Sequence, residues 1–574
     1  MRDGIKLFAT VYSPKDKSRR YPILLERTPY SVSPYGKGKY PSRLGPSDSL
    51  VRQGFIFVYE DVRGRFMSGG EFIDIPPNNP HLATSAATDP STDTYDTIDW
   101  LVKNIPNNNG RVGMWGVSYP GFYAAHGLIN SHPALKADSP QAPMGDVGNG
   151  DDAYHNGAFF LAANFGFYTG FWPRGSKLEQ ANSHKSFEFG TEDDYDFYLR
   201  LGPLSNSEDL CFHHQNPYWS DTVDHPNDDQ FWVSRSLGPD MHHLTAPVLL
   251  VGGWFDAEDL GGTLKLFRAI EADGSAPALT LVMGPWSHGE WARQDGQKLG
   301  NLNFGSKTAE YFRDRIEFPF FMQSLKLKGD KKLPKAWLFE TGKNQWRQFE
   351  AWPPANATRR SLYLQAGGKL AFSPAPSTTQ EFDEYTSDPS KPVPVTSEIG
   401  DGMPGDYMTR DQRFASRRPD VLTYETEPLE HDVTIAGPVT PVLRVSTSGT
   451  DSDFIVKLID VYPNDSPNHF GGYEQMVRGE PFRGKFRDSM SNPAPFVPGQ
   501  PAKIEFAMPD VFHDFRARHR IMVQIQSSWF PMVDRNPQQF EDIPNAKASD
   551  FQKAVERIYR GGADGARIDV LVLD

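Results

Sequence analysis

A single cysteine, Cys211, stands among 574 residues. One thiol cannot form an intramolecular disulfide framework or build a thiolate-rich metal site. No run of 18 apolar residues occurs, so no segment reads as a membrane-spanning helix. Basic charge is in deficit: 59 Lys and Arg face 73 Asp and Glu, a formal net charge of −14. Such a chain is a poor counterion for phosphate, which lowers nucleic acid among the partners and slightly raises cationic ligands. There is no internal repeat and no tract of one residue type. No signal peptide is visible either. Met1-Arg-Asp-Gly leads at once into Ile5, Leu7, Ala9 and Val11, which alternate with Lys6, Phe8 and Thr10 as in a strand. A short native start and a chain whose leader has been removed both fit that beginning.

What is present is ample material for packing. Apolar residues make up 38% and charged residues 23%, with 12 Trp, 22 Tyr and 39 Phe, which excludes wholesale disorder. The length exceeds what one core serves and predicts three or four units at about 100–200 residues each. Gly (50) and Pro (48) are numerous without periodicity, which predicts many turns and a large β component.

Organisation follows from the period of the apolar residues. Pro22–Leu25 and Phe55–Val58 are short apolar runs bounded by turn residues, whereas Tyr95, Ile98, Leu101, Val102 and Ile105 recur at helical spacing. Arg111–Trp115 is another run, followed by a helix-like stretch from about Gly121, and the rhythm returns at Pro247–Val251 and Leu279–Met283. Runs alternating with helices predict a mostly parallel sheet covered on both faces. Residues 1–144 and 241–349 are thus the two parts of one α/β core. Residues 145–240, rich in aromatics, Asn, His and Asp, read as a helical cap that walls a pocket. From about residue 350 the period becomes two: Ile504, Phe506 and Met508, then Ile521, Val523 and Ile525, then Ile568, Val570 and Val572. With turn-rich connections such as 371–405 between them, residues 350–574 read as an antiparallel jelly roll.

The strongest local signal is Gly116-Val-Ser118-Tyr-Pro-Gly121, between the run 111–115 and the helix that follows. A nucleophilic serine on a sharp strand-to-helix turn needs small neighbours. The general elbow is G-x-S-x-G, and the second glycine stands one place late. Such a serine needs a base, and the base needs an orienting carboxylate. Both are built past the carboxyl ends of later strands. Asp256 ends Gly252-Gly-Trp-Phe-Asp and His288 ends Gly284-Pro-Trp-Ser-His, each just after an apolar run. His126, His132, His155, His213, His214, His242 and His243 lack that placement and read as structural. The oxyanion of acyl transfer requires two donors. The Tyr119 amide offers one. Tyr30, in Glu26-Arg-Thr-Pro-Tyr, offers a hydroxyl, with a packed loop aromatic as the alternative.

With Asp61-Val-Arg-Gly64 added, these segments resemble the cocaine esterase/X-Pro dipeptidyl-peptidase group of serine hydrolases, over essentially the whole chain. The resemblance implies an α/β-hydrolase core, a helical cap and a C-terminal jelly roll. Within the group the chain is most similar to the α-amino acid ester hydrolases, which act on α-amino acid esters and amino-β-lactams such as ampicillin and cephalexin. It implies that Ser118, Asp256 and His288 are the triad and that Tyr30 and Tyr119 form the oxyanion hole. It also implies that Asp152, Glu258 and Asp259 receive the substrate ammonium, whose three donors favour anionic acceptors in a shielded pocket. Repulsion within that cluster predicts a raised pKa for at least one carboxylate. The local alternatives are a capping role for Asp152 and favourable charge in a first helical turn for Glu258 and Asp259. No metal or organic cofactor is implied; a homo-oligomer of up to four chains and a periplasmic or secreted setting are.

The resulting expectation is a serine hydrolase and acyltransferase that cleaves esters, and amides of amino-β-lactams, through an acyl-enzyme. The rivals are an X-Pro dipeptidyl-peptidase, a glutaryl-type acylase or a general carboxylesterase on the same scaffold. A glycan-binding protein with an inactive core is the reading outside enzymes.

Overall fold

The computed structural model describes all residues except 79–86, 176, 182–186, 327–332, 376–380, 401, 562–564 and 574. Its first sheet contains β1 (Phe8–Tyr12), β2 (Tyr21–Thr28), β3 (Ile56–Asp61), β4 (Asn108–Val117), β5 (Leu135–Gln141), β6 (Val248–Gly253), β7 (Leu279–Gly284), β8 (Ala336–Glu340) and β9 (Gln345–Phe349). The order is β1-β3-β2-β4-β5-β6-β7-β8-β9. Neighbours from β3 through β8 run parallel, while β1 and β9 pair antiparallel at the two edges. The central strands are nearly continuous buried runs because helices cover both faces. Helix Pro90–Asn104 starts at a capping box in which Asp89 accepts from the Thr92 amide at 2.8 Å. β5 carries no apolar run, so periodicity passes over it; its Lys136, Asp138 and Pro140 interrupt the pattern.

Residues between β5 and β6 hold helices Leu161–Gly170, Asp194–Leu201 and Pro217–Asp224, together with the small hairpin Tyr154–His155/Ala158–Phe159. Interlocked rings fill this region: Phe165 meets Phe187, Phe212 and Trp219 with centroids 5.2–5.7 Å apart.

Beyond β9 a second, twelve-stranded sheet folds over on itself among the described residues. Its long strand Val433–Thr447 has a register shift between Gly437 and Val439. It pairs in turn with Met508–Phe515, Ala502–Glu505, Ala554–Arg560 and Arg567–Leu573. Two expectations need correction. The alternation 504–508 is not one strand, because pairing breaks between Glu505 and Met508, although Ile504, Phe506 and Met508 are all buried. The connection 371–405, partly outside the described residues, contains strand Glu381–Ser387, which closes one edge against Ala554–Arg560.

Along Arg520–Gln526 the alternating glutamines do not face solvent. Gln524 and Gln526 are fully buried alongside Ile521, Val523 and Ile525. The second face of the sheet packs on the rest of the molecule through paired polar groups. Glu480 bonds His155 at 2.6 Å, Asp510 accepts from Trp352 at 2.7 Å and bonds Arg268, and Asp534 accepts from Arg483 at 2.6 Å. Glu480, Asp510 and Asp534 thereby have partners, whereas Arg478 Nε and Glu556 Oε2 are buried without one.

Candidate active site

Ser118 ends β4 and caps helix Tyr119–Leu128 with φ 67° and ψ −129°. A non-glycine residue at positive φ costs on the order of 1–3 kcal/mol and is held only by its surroundings. Those surroundings are specific. A Cβ on Gly116 would sit 2.3 Å from the Pro120 carbonyl carbon, and one on Gly121 would sit 2.5 Å from the Gln141 carbonyl oxygen. The late glycine is therefore required by the crossing of the helix over the end of β5. The Ser118 amide donates to the same Gln141 carbonyl at 3.0 Å.

As the first helical residue, Tyr119 has no intrahelical acceptor for its N–H. Its ring is buried, and its hydroxyl donates to Asp74 Oδ1 at 2.8 Å while accepting from the Ile75 amide at 2.6 Å. Tyr30 stands on the loop after β2 and meets Tyr119 edge-on, with centroids 6.1 Å apart. Asp61, at the end of β3, fixes that loop: it accepts from the Val32 amide at 3.0 Å and the Tyr35 hydroxyl at 2.8 Å. Burial, then the charges of Asp152 and Glu258, push the Tyr30 hydroxyl well above its usual pKa. It remains a neutral donor across the working pH range.

His288 Nδ1 lies 2.9 Å from Asp256 Oδ2 and 3.1 Å from Oδ1. Asp256 Oδ1 also accepts from the amides of Glu258 (2.9 Å) and Asp259 (3.1 Å). Burial opposes ionisation of Asp256, but the imidazolium charge, its hydrogen bond and these two amides overcome it and hold the carboxyl below the ordinary range. For His288, burial would lower the pKa. Asp256 and Glu258 outweigh it and raise the ring to about 10. The other nitrogen, Nε2, has no hydrogen-bond partner and lies 3.6 Å from Glu258 Oε2.

Two cavities meet at this point. An outer cleft of about 650 Å³ is lined by Tyr30, Ser118, Glu258 and His288. An inner one of about 290 Å³ shares Tyr30, Ser118 and Glu258 and adds Asp152, Asp74 and Tyr168. Asp259 differs from its two companions. It is fully buried behind the histidine, its Oδ2 is 3.8 Å from Nδ1, and neither oxygen has a hydrogen-bond partner. Burial first, and then neighbouring carboxylates, raise both Asp152 and Asp259 well above the normal carboxylate range. The expected rise is present, with desolvation rather than repulsion as its larger cause.

Three carboxylates carry roles that periodicity and motif did not indicate. Asp151 accepts from the amides of Gly145 (2.8 Å), Asp146 (2.7 Å) and Gly262 (2.5 Å). It thus fastens the loop that bears Asp152 to the helix that follows Glu258 and Asp259. A Cβ on Gly262 would lie 1.9 Å from this carboxylate, so glycine is needed there. Asp74 accepts from both Tyr119 and Tyr168 at 2.8 Å, and burial raises it to about 6. Asp61 positions the Tyr30 loop, as described. Of the pair in Gly150-Asp-Asp, Asp152, which the resemblance implied, lines the cavity, while the fastening role of Asp151 had no local signal.

Comparison with known proteins agrees with this geometry. Residues 3–290 match the X-Pro dipeptidyl-peptidase (S15 family) model, and 329–569 match the X-Pro dipeptidyl-peptidase C-terminal non-catalytic domain. Cocaine esterase of Rhodococcus sp. (strain MB1 Bresler) is 30% identical, covering 98% of this chain and 95% of the relative. An α-amino acid ester hydrolase structure superimposes with TM-score 0.93 at 39% identity, over 100% of this chain and 95% of that one. An aminopeptidase from the marine sediment archaeon Thaumarchaeota archaeon gives TM-score 0.93 at 38% identity with the same coverage. A strained serine beside a histidine–aspartate pair, on an α/β-hydrolase core with an all-β C-terminal domain, completes the assignment: the chain belongs to the X-Pro dipeptidyl-peptidase S15 family, in its cocaine esterase-like group, and is a serine ester hydrolase.

Proposed function

We propose that this protein hydrolyses esters of α-amino acids, and amides of amino-β-lactams, through an acyl-enzyme on Ser118. The observation that carries this reading is that Ser118 lies where the carboxylate-lined inner cavity joins the open outer cleft. The acyl group enters the inner cavity with its ammonium against Glu258 and Asp152, and that cation favours the ionised form of Asp152, which burial otherwise opposes. The leaving group occupies the outer cleft.

The Ser118 oxygen attacks the carbonyl carbon as its proton passes to His288 Nε2, while Asp256 orients the ring. The Tyr119 amide and the Tyr30 hydroxyl receive the oxyanion. Cleavage of the ester C–O bond, or the amide C–N bond, releases the leaving group with the proton held by His288. Water, or an acceptor amine, then repeats the sequence on the acyl-enzyme and regenerates the serine.

The electrostatics supply a reason for selecting amino substrates. Asp256 and Glu258 raise the His288 pKa to about 10, which favours the protonated ring over the neutral base near pH 7. An arriving ammonium offsets the charge of Glu258 and Asp152, so the ring releases its proton to solvent as the substrate docks. Identity of 39% to an α-amino acid ester hydrolase supports the same substrate class. A peptide substrate is the second reading, supported by the similar aminopeptidase and equally dependent on an ammonium site. A panel of esters with and without the α-amino group tests the proposal. Selective turnover of amino esters, lost in Ser118→Ala, is expected; equal kcat/KM for both series argues against it. The homo-oligomeric assembly is checked by light scattering on the eluting protein.

A further inference from the structure

The outer cleft carries charge of the opposite sign to the inner cavity. Arg43 and Arg293 both line it. Arg293 has no hydrogen-bond or ion-pair partner among the described residues, and Arg43 donates only to the Ala292 carbonyl at 2.9 Å. Neither is neutralised by a carboxylate, in a chain whose net charge is −14. The side chain of Arg293 folds back toward the catalytic histidine. A Cβ placed on Gly289, the residue after His288, would lie 3.6 Å from its terminal nitrogen. The other acid in this cleft besides Glu258 is Glu26, whose carboxyl burial raises to about 8. Burial thus disfavours its charged form at neutral pH, which weakens its competition for the two guanidinium groups.

We propose that Arg43 and Arg293 form a leaving-group subsite for a carboxylate, so that the substrate class is zwitterionic. An ammonium lies on the acyl side, and a carboxylate lies one or two residues beyond the scissile bond, as in a free di- or tripeptide. The inference rests on the amino-acyl reading above. Each residue past the scissile carbonyl adds about 3.5 Å of chain, and Arg43 and Arg293 line the same cleft as Ser118 and His288. Guanidinium recognises carboxylate through paired N–H donors, and two such groups at a cleft mouth also steer anionic groups inward.

The test compares two isosteric esters, the alanyl ester of glycolate and that of glycolamide, which differ only in the terminal charge. For the wild-type protein, kcat/KM should favour the glycolate ester by about fivefold or more at low salt, and the preference should shrink as ionic strength rises. In the double variant Arg43→Gln/Arg293→Gln the ratio should fall toward one, and Arg293→Lys should retain part of it. Equal rates on both esters in the wild type, or a preference that survives the double variant, would overturn the subsite. Alanyl methyl ester carries no leaving-group charge. Its failure to turn over would instead refute the amino-acyl reading, independently of the arginines.

Discussion

Glu258 Oε2 lies 3.6 Å from His288 Nε2, while Asp256 holds Nδ1 at 2.9 Å. The His288 ring is thus bracketed by two carboxylates, both of which raise its pKa, so under the proposed function a cation bound at Glu258 lowers it. A base must be neutral to accept a proton. With the pKa raised to about 10, turnover of esters lacking an amino group should climb as pH rises from 7 toward 10. Turnover of amino esters should already be substantial near pH 7. In Glu258→Gln the ring pKa falls, so neutral-ester activity at pH 7 should rise while amino-ester kcat/KM drops at least tenfold. pH profiles of kcat/KM on both substrates check this. Identical profiles in wild type and variant would count against it.

Ser118→Ala should abolish turnover, by about 10⁴-fold or more, with an unchanged circular dichroism spectrum. The alanine also occupies φ 67°, so stability should change by less than about 1 kcal/mol. Loss of reaction with a fluorophosphonate probe is the companion readout. Labelling that persists in the variant would place the nucleophile elsewhere.

Tyr30→Phe keeps the ring against Tyr119 and Phe171 but removes the hydroxyl. Loss of one oxyanion donor should lower kcat by about 10²–10³ while KM changes little. Steady-state kinetics on one amino ester distinguish this from a packing role. A shift confined to KM would assign the tyrosine to ground-state binding.

Gly121→Ala tests the displaced elbow glycine. Its methyl would meet the Gln141 carbonyl at 2.5 Å, and overpacking of this kind costs about 1–3 kcal/mol. Denaturant unfolding should show that loss, together with reduced activity, because the turn that aims Ser118 must shift. Native stability with full activity would show that the turn has slack.

Asp151→Asn should loosen the joint between the Asp152 loop and the helix after Asp259, since an amide oxygen replaces only part of a carboxylate that accepts three backbone amides. A loss of about 2 kcal/mol in stability is expected from under-satisfied buried donors. KM for amino esters should rise more than KM for neutral esters, because Asp152 moves with the loop. Parallel thermal and kinetic measurements test both parts.

Much of the architecture was legible from periodicity. The strands around Ile23, Phe57 and Leu250 are parallel and buried on both faces, so their apolar runs are uninterrupted. β5 escaped because Asp138 and Pro140 break its run, although Asp138 is fully buried. The second sheet reads as alternating, yet Gln524 and Gln526 are as buried as the isoleucines between them. Sequence period reports polarity, and polarity equals exposure only where no partner covers the second face.

Local patterns were enough to nominate candidates for the chemistry: a serine between glycines after one strand, and an aspartate and a histidine after two later ones, with the acids 152, 258 and 259 added by the family resemblance. These signals are local, because each turn dictates its own residue types. The different surroundings of these acids emerge only from the folded chain. Asp152 and Glu258 line the inner cavity, Asp259 is sealed behind His288, and Asp151 ties the two segments together. That division depends on burial and on distances between segments more than a hundred residues apart, which no local pattern encodes. The same holds for Arg43 and Arg293, which share the outer cleft with Ser118 and have no carboxylate partner among the described residues. Net charge counts both signs but does not say where they meet.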